Sequence, residues 1–221
     1  MADLACHSDA MTRTRWELAR DHERASGSGG YGAHYARLVA EGQDVEGEAR
    51  LADALAPRSA RILDAGSGMG RVGASLQARG HRVVGVDFDP EIVAQSRRTY
   101  PALPVVCSRL DDLRPATLAA AGHLTAFDLV VCVGNVLILL APDSERTVLA
   151  NLAALLADQG RMLVGFHIRD APSPFARSYA VAEFTADVEA VGLVVESRYR
   201  SYDLRPFAPD GDYAVHVLRR P

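Results

Sequence analysis

The sequence contains no lysine, because all 24 basic residues of the 221-residue chain are arginine. A Schiff-base enzyme, a pyridoxal enzyme of the usual kind and a Walker-type P-loop each need a lysine amine, so these classes are excluded. The net charge is −4, and no run of like charge exceeds a few residues. A nucleic-acid binder carries a basic patch or stripe, so we expect no nucleic-acid partner.

Cysteine and long apolar runs are also scarce. The three cysteines, Cys6, Cys107 and Cys132, indicate no disulfide framework. The longest apolar run, residues 136–141, is too short to cross a bilayer, and the first residues lack the basic and apolar regions of a signal peptide. The seven histidines and the cysteines show no metal-ligand spacing. We therefore expect a cytoplasmic protein with no metal and no membrane partner.

Glycine, in contrast, is concentrated in one informative segment. Residues 61–73 read R-I-L-D-A-G-S-G-M-G-R-V-G, a short apolar run followed by Gly66, Gly68 and Gly70 and then by a helix-compatible stretch. Glycine is needed where the backbone takes a positive φ or approaches a ligand closely, and a helix N-terminus presents unpaired N–H groups. The segment predicts a strand, a tight loop and a helix, with a nucleotide-like cofactor at the carboxyl end of the strand.

Two motif registers overlap in this segment. Residues 68–73 match G-x-G-x-x-G, the dinucleotide fingerprint, whereas residues 64–70 match D-x-G-x-G-x-G. The first register places Asp64 at an inward position of the strand, where an unpaired carboxylate is costly. The second places Asp64 at the end of the strand, where its carboxylate can face a ligand. We favour the second register, because a lone G-x-G-x-x-G is weak evidence.

Three further segments follow the glycine loop. Residues 81–90, H-R-V-V-G-V-D-F-D-P, predict an apolar strand that ends in Asp87, near the spacing of about 20 residues expected for a ribose-binding carboxylate. Residues 108–113 read S-R-L-D-D-L, and residues 126–135 read A-F-D-L-V-V-C-V-G-N. Together with the loop, these segments resemble the motifs of the class I S-adenosylmethionine-dependent methyltransferases. The resemblance covers roughly residues 30–220.

The order of the segments predicts the fold class. Strand and helix patterns alternate as far as residue 192, which indicates a parallel sheet with right-handed crossovers. The last two strands are joined by a segment too short for a crossover helix, so they should be antiparallel neighbours, as the resemblance also implies. We predict an α/β protein with a Rossmann-like, doubly wound sheet of seven strands, mostly parallel, with an antiparallel strand in a C-terminal hairpin.

The element boundaries follow from apolar periodicity and from glycine and proline positions. After the first strand, the expected strands are 83–86, 103–107, 127–133, 161–166, 193–200 and 213–218. The expected helices are 15–25, 31–40, 45–55, 71–79, 90–99, 114–124, 143–157 and 182–190. Residues 1–14 are patternless and should be frayed. The expected domains are a flexible or helical N-terminal segment at 1–30 and a single methyltransferase domain at 31–221.

The resemblance implies a partner for each polar end of S-adenosylmethionine, the expected cofactor. Asp64 and the loop carbonyls near Gly66 suit the ammonium group, and Asp87 suits both ribose hydroxyls. Asp87 is alternatively a helix N-cap, but Asp89 fills that role better. The other loop residues expected at the cofactor are Ser67, Gly68 and Gly70.

The resemblance also implies contacts to the adenine ring and to the methyl group. Phe88 suits the adenine face, and the backbone N–H of Leu110 suits the ring edge. Asp111 or Arg109 is expected near the exocyclic amine, although the family pattern places an acid where Arg109 stands. The residues expected beside the methyl group are Val133 and Gly134.

Methyl transfer is an in-line displacement, to which a protein contributes mainly alignment and exclusion of water. Asn135 is a candidate for holding substrate or cofactor, or else for capping the loop backbone. His167 is a candidate general base, or else only a hydrogen-bonded histidine. Tyr31 and His34 are candidates for a lid, although Tyr31 and Tyr35 alternatively anchor their helix on the sheet.

These patterns predict an S-adenosylmethionine-dependent methyltransferase that acts on a small molecule. Residues 133–136 read V-G-N-V, where the base-modifying family members carry N/D-P-P-aromatic, which argues against nucleobase amines. Whether O, N or C is methylated stays open, and Arg169 and Arg177 either recognise a carboxylate or lie in solvent. Two alternatives also stay open, a non-catalytic S-adenosylmethionine-binding regulatory protein and an NAD(P)-dependent oxidoreductase.

Overall fold

A computed structural model describes residues 12–26, 37–38 and 40–221. The strands are β1 (Arg61–Ala65), β2 (Arg82–Asp87), β3 (Val105–Cys107), β4 (Phe127–Cys132), β5 (Leu156–His167), β6 (Val194–Tyr199) and β7 (Tyr213–Arg219). The helices are α1 (Arg15–Ser26), α2 (Gly47–Leu55), α3 (Arg71–Ala78), α4 (Pro90–Thr99), α5 (Pro115–Ala120), α6 (Glu145–Ala154) and α7 (Val181–Ala190), with a 3₁₀ helix at Val136–Ile138.

The strands form one seven-stranded sheet in the order β3-β2-β1-β4-β5-β7-β6. Strands β1 to β5 pair in parallel, and β7 is inserted antiparallel between β5 and β6. The predicted fold class is therefore confirmed. The strand order reverses between β1 and β4, and a ligand crevice forms at the carboxyl ends of the strands at such a reversal.

The sheet is covered on both faces, as a parallel sheet requires. Successive strand residues face opposite layers, so Val130 and Val164 belong to one core cluster, whereas Val131 and Leu163 belong to the other. This two-sided burial explains the near-continuous apolar runs of the central strands.

The main differences from the expected element boundaries are at β3, α5, α6 and β5. Strand β3 begins at residue 105 instead of 103, and α5 is shorter because the chain turns at Gly122, which has a φ of 78°. Helix α6 ends at residue 154 and β5 begins at residue 156 instead of 161. The reason is a register shift against β4, in which Phe127 pairs with Leu156 and Leu129 pairs with Arg161.

The residues before α1 also differ from the expectation. Thr14 is buried, with 4% of its surface exposed. Its N–H and hydroxyl donate to Glu17 Oε2 at 2.7 and 2.8 Å, and the Glu17 N–H donates to Thr14 Oγ1 at 3.1 Å. This is a capping box, so the expectation of a frayed Thr14 is wrong.

The two described cysteines differ in their bonding state. Cys107 is disulfide-bonded and Cys132 is free and buried. The sequence indicated no disulfide framework and did not predict the bond of Cys107. None of the described helices is long and apolar enough to cross a membrane. Tyr31, His34 and Tyr35 fall outside the described residues.

Candidate active site

The glycine loop between β1 and α3 has the conformation that its sequence demands. Gly66, Gly68 and Gly70 have φ values of 77°, 54° and 87°. The N–H groups of residues 66 and 67 donate to the carbonyl of Val86 at 2.8 and 3.0 Å. A Cβ on Gly66 would overlap the side chain of Val136. Both the positive φ and the close approach therefore require glycine here.

A cavity opens above this loop, at the carboxyl ends of β1, β2 and β4. Its empty volume is about 770 Å³, including the part open to solvent. The residues predicted from sequence that line it are Gly66, Gly68, Asp87, Phe88, Arg109, Leu110, Asp111, Val133 and Gly134. Lining residues that the sequence analysis missed include Thr14, Trp16, Ile92, Ser108, Val136 and Leu139.

Asp87 projects from the end of β2 into the wall of this cavity. Its Oδ2 accepts the N–H of Gly68 at 2.9 Å, and its Oδ1 accepts the N–H of Asp89 at 3.0 Å. Burial raises the pKa of Asp87 to about 6. Asp89 caps α4 by accepting the N–H of Glu91 at 3.0 Å. Asp87 is therefore free of the capping role, and each of its oxygens keeps lone-pair capacity for a ligand.

Asp64 does not line the cavity. It lies inside β1 with 2% of its surface exposed, and burial raises its pKa to about 7, partly offset by a backbone hydrogen bond from Gly73. Its Oδ2 has no hydrogen-bond partner among the residues that the structure describes. The expectation that Asp64 faces the ligand is not met, because β1 continues to residue 65 and its pleat turns this side chain towards α3.

Ser67 and Gly70 belong to the loop but do not line the cavity. Ser67 is buried, with its Oγ against Gly85. A Cβ on Gly70 would lie 2.5 Å from Ser96 Oγ of α4. These two residues therefore pack the loop against β2 and α4.

The loop after β3 forms the opposite end of the cavity. Arg109 binds Asp111 through two hydrogen bonds, Nε to Oδ1 at 2.9 Å and Nη2 to Oδ2 at 2.7 Å. The Arg109 guanidinium lies 5.9 Å from the centroid of the Phe88 ring. Asn151 donates to the carbonyls of Leu110 and of residue 111, at 2.9 Å each. The loop is therefore fixed from both sides before any ligand binds.

Asn135 and His167 form a hydrogen-bonded pair next to the cavity, although neither lines it. Asn135 Oδ1 accepts the backbone N–H of His167 at 2.9 Å and lies 3.0 Å from His167 Nδ1. An amide oxygen is an acceptor, so Nδ1 carries the proton and Nε2 keeps its lone pair. Burial lowers the pKa of His167, so the ring is neutral near pH 7. The ring packs edge to face on Tyr213, with 4.9 Å between the centroids.

The two arginines that the sequence left open have protein partners. Arg177 pairs with Glu145 at 3.0 Å and also with Glu183. Arg169 donates to the carbonyl of Asp210 at 3.3 Å. No group of histidine, cysteine and carboxylate side chains in the described ranges has the arrangement of a metal site.

Comparison with solved structures adds independent findings. The chain is similar to a TehB-like SAM-dependent methyltransferase from Corynebacterium glutamicum, with 36% identity, 86% of this chain and 96% of that chain covered, and a TM-score of 0.76. The 1,6-didemethyltoxoflavin-N1-methyltransferase of Burkholderia thailandensis shares the fold, with 24% identity, 96% and 93% of the two chains covered, and a TM-score of 0.61.

Comparison with protein families and curated proteins points the same way. Residues 62–160 match the family model described as a methyltransferase domain. The S-adenosyl-L-methionine-dependent Diels-Alderase iccD of Talaromyces variabilis is 37% identical over 76 residues, which span 32% of this chain and 26% of that protein. The matches favour the register that begins at Gly66 over the dinucleotide register. The chain belongs to the class I S-adenosylmethionine-dependent methyltransferases and is an enzyme that uses S-adenosylmethionine.

Proposed function

We propose that this enzyme methylates a small molecule whose accepting atom carries a proton, with His167 as the general base. The observation that carries the proposal is the Asn135–His167 pair, which holds a neutral imidazole at the end of β5. The neighbouring strand β4 leads into Val133 and Gly134, which line the cavity. A base with an open lone pair thus stands beside the end of the cavity where the methyl group is expected.

The cofactor contacts are part of the same proposal. Asp87 accepts hydrogen bonds from the ribose hydroxyls with the lone pairs that Gly68 and Asp89 leave open. Phe88 and the backbone of Leu110, which line the cavity, would hold the adenine ring at its face and at its edge. Arg109 and Asp111 stay paired with each other at that end. The glycine loop brings its backbone close to the amino-acid end, while Asp64, Ser67 and Gly70 support it from behind.

When bound, S-adenosylmethionine would supply the methyl group from its sulfonium centre. The residues of the chain would orient the reactants and exclude water. Asn135 Oδ1 holds the proton on His167 Nδ1, so Nε2 is free to take the proton that the acceptor loses. The apolar side chains of Val133, Val136 and Leu139 keep water from the cavity wall.

The small-molecule acceptor rests on two supports. The V-G-N-V sequence at 133–136 departs from the base-modifying pattern. The Burkholderia neighbour is named for a small-molecule acceptor, and at its level of identity this is an analogy of fold. We also propose that residues 31–221 form one methyltransferase domain and that segment 1–30 adds α1 to its cavity wall.

The test is transfer of labelled methyl groups to a panel of metabolites by the wild type and by His167→Ala. We expect the variant to lose about 10²- to 10⁴-fold in kcat, with its affinity for S-adenosylhomocysteine little changed. The wild-type kcat at saturating S-adenosylmethionine should fall as acid protonates His167, at a pH below the usual histidine range, and the variant should lose this dependence of kcat. His123→Ala, after α5, is the control and should behave as the wild type.

Two results would contradict the proposal. Unchanged kcat and an unchanged pH profile in His167→Ala would exclude the general base. Tight binding of S-adenosylmethionine with no transfer to any acceptor of the panel would count against a small-molecule methyltransferase.

A further inference from the structure

Tyr202 lies in the connection between β6 and β7 and reaches back to the ends of the central strands. Its Oη is 2.7 Å from Tyr213 Oη, in a hydrogen bond between the two phenols. The backbone of Gly134 lies close enough to this oxygen to lower the pKa of Tyr202, against the larger effect of burial. Burial raises the pKa of Tyr202 well above its usual value. The phenol therefore stays protonated near neutral pH and serves as a hydrogen-bonding group and not as a base.

Gly165 on β5 makes room for this contact. A Cβ at Gly165 would overlap Tyr202 Oη and would lie 2.8 Å from Tyr213 Oη. Glycine weakens the interior of a strand and often marks the close approach of another group. The carbonyl of the same glycine accepts the N–H of Asn135 at 3.2 Å. The phenol of Tyr202 and the turn after β4 thus meet at one position of β5.

That turn is the connection between the cavity and the Asn135–His167 pair. Gly134 and Asn135 have consecutive positive φ values of 73° and 75°. Gly134 lines the cavity, and the side chain of Asn135 binds His167. Asparagine tolerates this region better than most residues, but such a conformation persists only when its surroundings hold it. The Gly165 carbonyl binds the turn directly, and the Tyr202 hydroxyl lies against Gly165 and close to the backbone of Gly134.

We propose that Tyr202 is a positioning residue of the methyl-transfer site, which holds the Gly134–Asn135 turn and through it sets the place of His167. The part that concerns His167 rests on the proposed function. The part that concerns the turn and the cavity wall does not, so the two are separable by experiment.

The experiment compares Tyr202→Phe with the wild type, using S-adenosylhomocysteine as the ligand. Phenylalanine keeps the ring and removes the hydroxyl that Gly134 and Tyr213 contact. We expect amide hydrogen exchange at Gly134 in the free protein to accelerate about tenfold, and affinity for S-adenosylhomocysteine to fall about fivefold, as for one lost hydrogen bond. Once an acceptor is known, kcat should fall with KM little changed, because His167 is displaced while the acceptor pocket remains.

Tyr199→Phe is the matched control, because the Tyr199 ring packs against the same core cluster as Tyr202. It should leave exchange at Gly134 and the ligand affinity unchanged. Gly165→Ala is the second variant, since its methyl group displaces the Tyr202 hydroxyl while the phenol stays in the chain. It should reproduce the faster exchange at Gly134. The double variant should exchange little faster than Tyr202→Phe alone, because the two changes act on one contact.

Each outcome separates the two claims. Unchanged exchange at Gly134 and unchanged affinity in Tyr202→Phe would overturn the positioning role. Equal acceleration of all core amides would overturn it too, because that would mean a general loss of stability. Faster exchange at Gly134 together with normal turnover in His167→Ala would leave the role of Tyr202 at the turn intact and remove the general base.

Discussion

The proposed cofactor end and the proposed acceptor end of this site are built by different means. The proposed cofactor end consists of backbone groups and the carboxylates of Asp87 and Asp111, all from residues 66–111, in the glycine loop, the end of β2 and the loop after β3. The acceptor end consists of side chains that come from distant places in the chain, since Asn135 follows β4, His167 ends β5 and Tyr202 follows β6. A short motif can specify the first kind of site, whereas the second depends on the whole sheet.

The two ends also differ in charge. Burial raises the pKa of Asp87 to about 6 at the cofactor end, which leaves a carboxylate at neutral pH. At the acceptor end, burial lowers the pKa of His167 and raises that of Tyr202, so both groups are neutral. A carboxylate suits ribose hydroxyls and a cationic cofactor, and a neutral imidazole suits proton transfer. The difference indicates that binding and chemistry can be disturbed separately.

The largest effect should come from breaking the backbone of the cofactor end. Gly66→Ala forces an alanine into a φ of 77° and drives its Cβ into Val136. We expect at least about 30-fold weaker binding of S-adenosylhomocysteine by titration calorimetry, since strain and overpacking each cost about 1 kcal/mol or more. Gly80→Ala is the control, because Gly80 has a φ of 93° but open space around a Cβ. If both variants bind normally, the close approach at Gly66 is irrelevant.

A smaller effect, confined to the acceptor end, should come from Asn135→Ala. The change removes the oxygen that holds His167, so kcat should fall about tenfold, as for one hydrogen bond, while S-adenosylhomocysteine still binds. Asn135→Gly removes the same oxygen but relieves the positive φ of 75°. Equal loss of kcat in the two variants would assign the effect to the side chain. A loss of ligand affinity as large as the loss of kcat would refute the separation of the two ends.

The pH dependence of binding should separate the ends as well. Protonation of Asp87 removes a carboxylate acceptor from the cavity, and its pKa is about 6 because it is buried. Affinity for S-adenosylhomocysteine should therefore be constant above about pH 7 and should fall below pH 6, by at most about tenfold per pH unit. Calorimetry between pH 5 and 8 checks this, with Asp87→Asn expected to lose the dependence. Affinity that rises in acid would contradict the assignment.

The smallest effect concerns stability and not binding. The folded-state pKa of Asp64, about 7, lies above its unfolded value of 3.8. Between these values the folded state binds the extra proton, so this group makes the protein less stable as the pH rises. In urea unfolding, the free energy of unfolding of Asp64→Asn should exceed that of the wild type by more at pH 8 than at pH 5. Burial lowers the pKa of His216 to about 3, which makes the protein more stable as the pH rises. This effect is present in both proteins, so the difference between them reports Asp64 alone.

The sequence was sufficient for the fold and for much of the cofactor end, for a physical reason. Strand, loop and helix of the glycine segment are adjacent in sequence, and positive φ can be inferred from glycine itself. The orientation of Asp64 could not be predicted, because it depends on where β1 ends and on the packing of α3. Asn135 and His167 were each identified as candidates, but their hydrogen bond depends on the pairing of β4 with β5.

The contribution of α1 to the cavity had a local signal that the sequence analysis did not use. Thr14 and Glu17 form the T-x-x-E pattern of a capping box, which predicts an ordered helix start instead of a frayed end. What the pattern does not show is that Trp16 donates its backbone N–H to the carbonyl of Leu139 at 2.9 Å. That contact joins the N-terminal helix to the segment after β4, and it depends on tertiary packing alone.

The central claim is that the cavity above the glycine loop binds S-adenosylmethionine through Asp87. The most direct measurement is titration calorimetry of the wild type and of Asp87→Ala with S-adenosylmethionine, S-adenosylhomocysteine and NAD. We predict micromolar binding of both adenosyl ligands to the wild type and about 100-fold weaker binding to the variant, because hydrogen bonds to a carboxylate are lost. We predict no binding of NAD. Binding of NAD alone, or equal affinity of the two proteins for S-adenosylhomocysteine, would contradict the account.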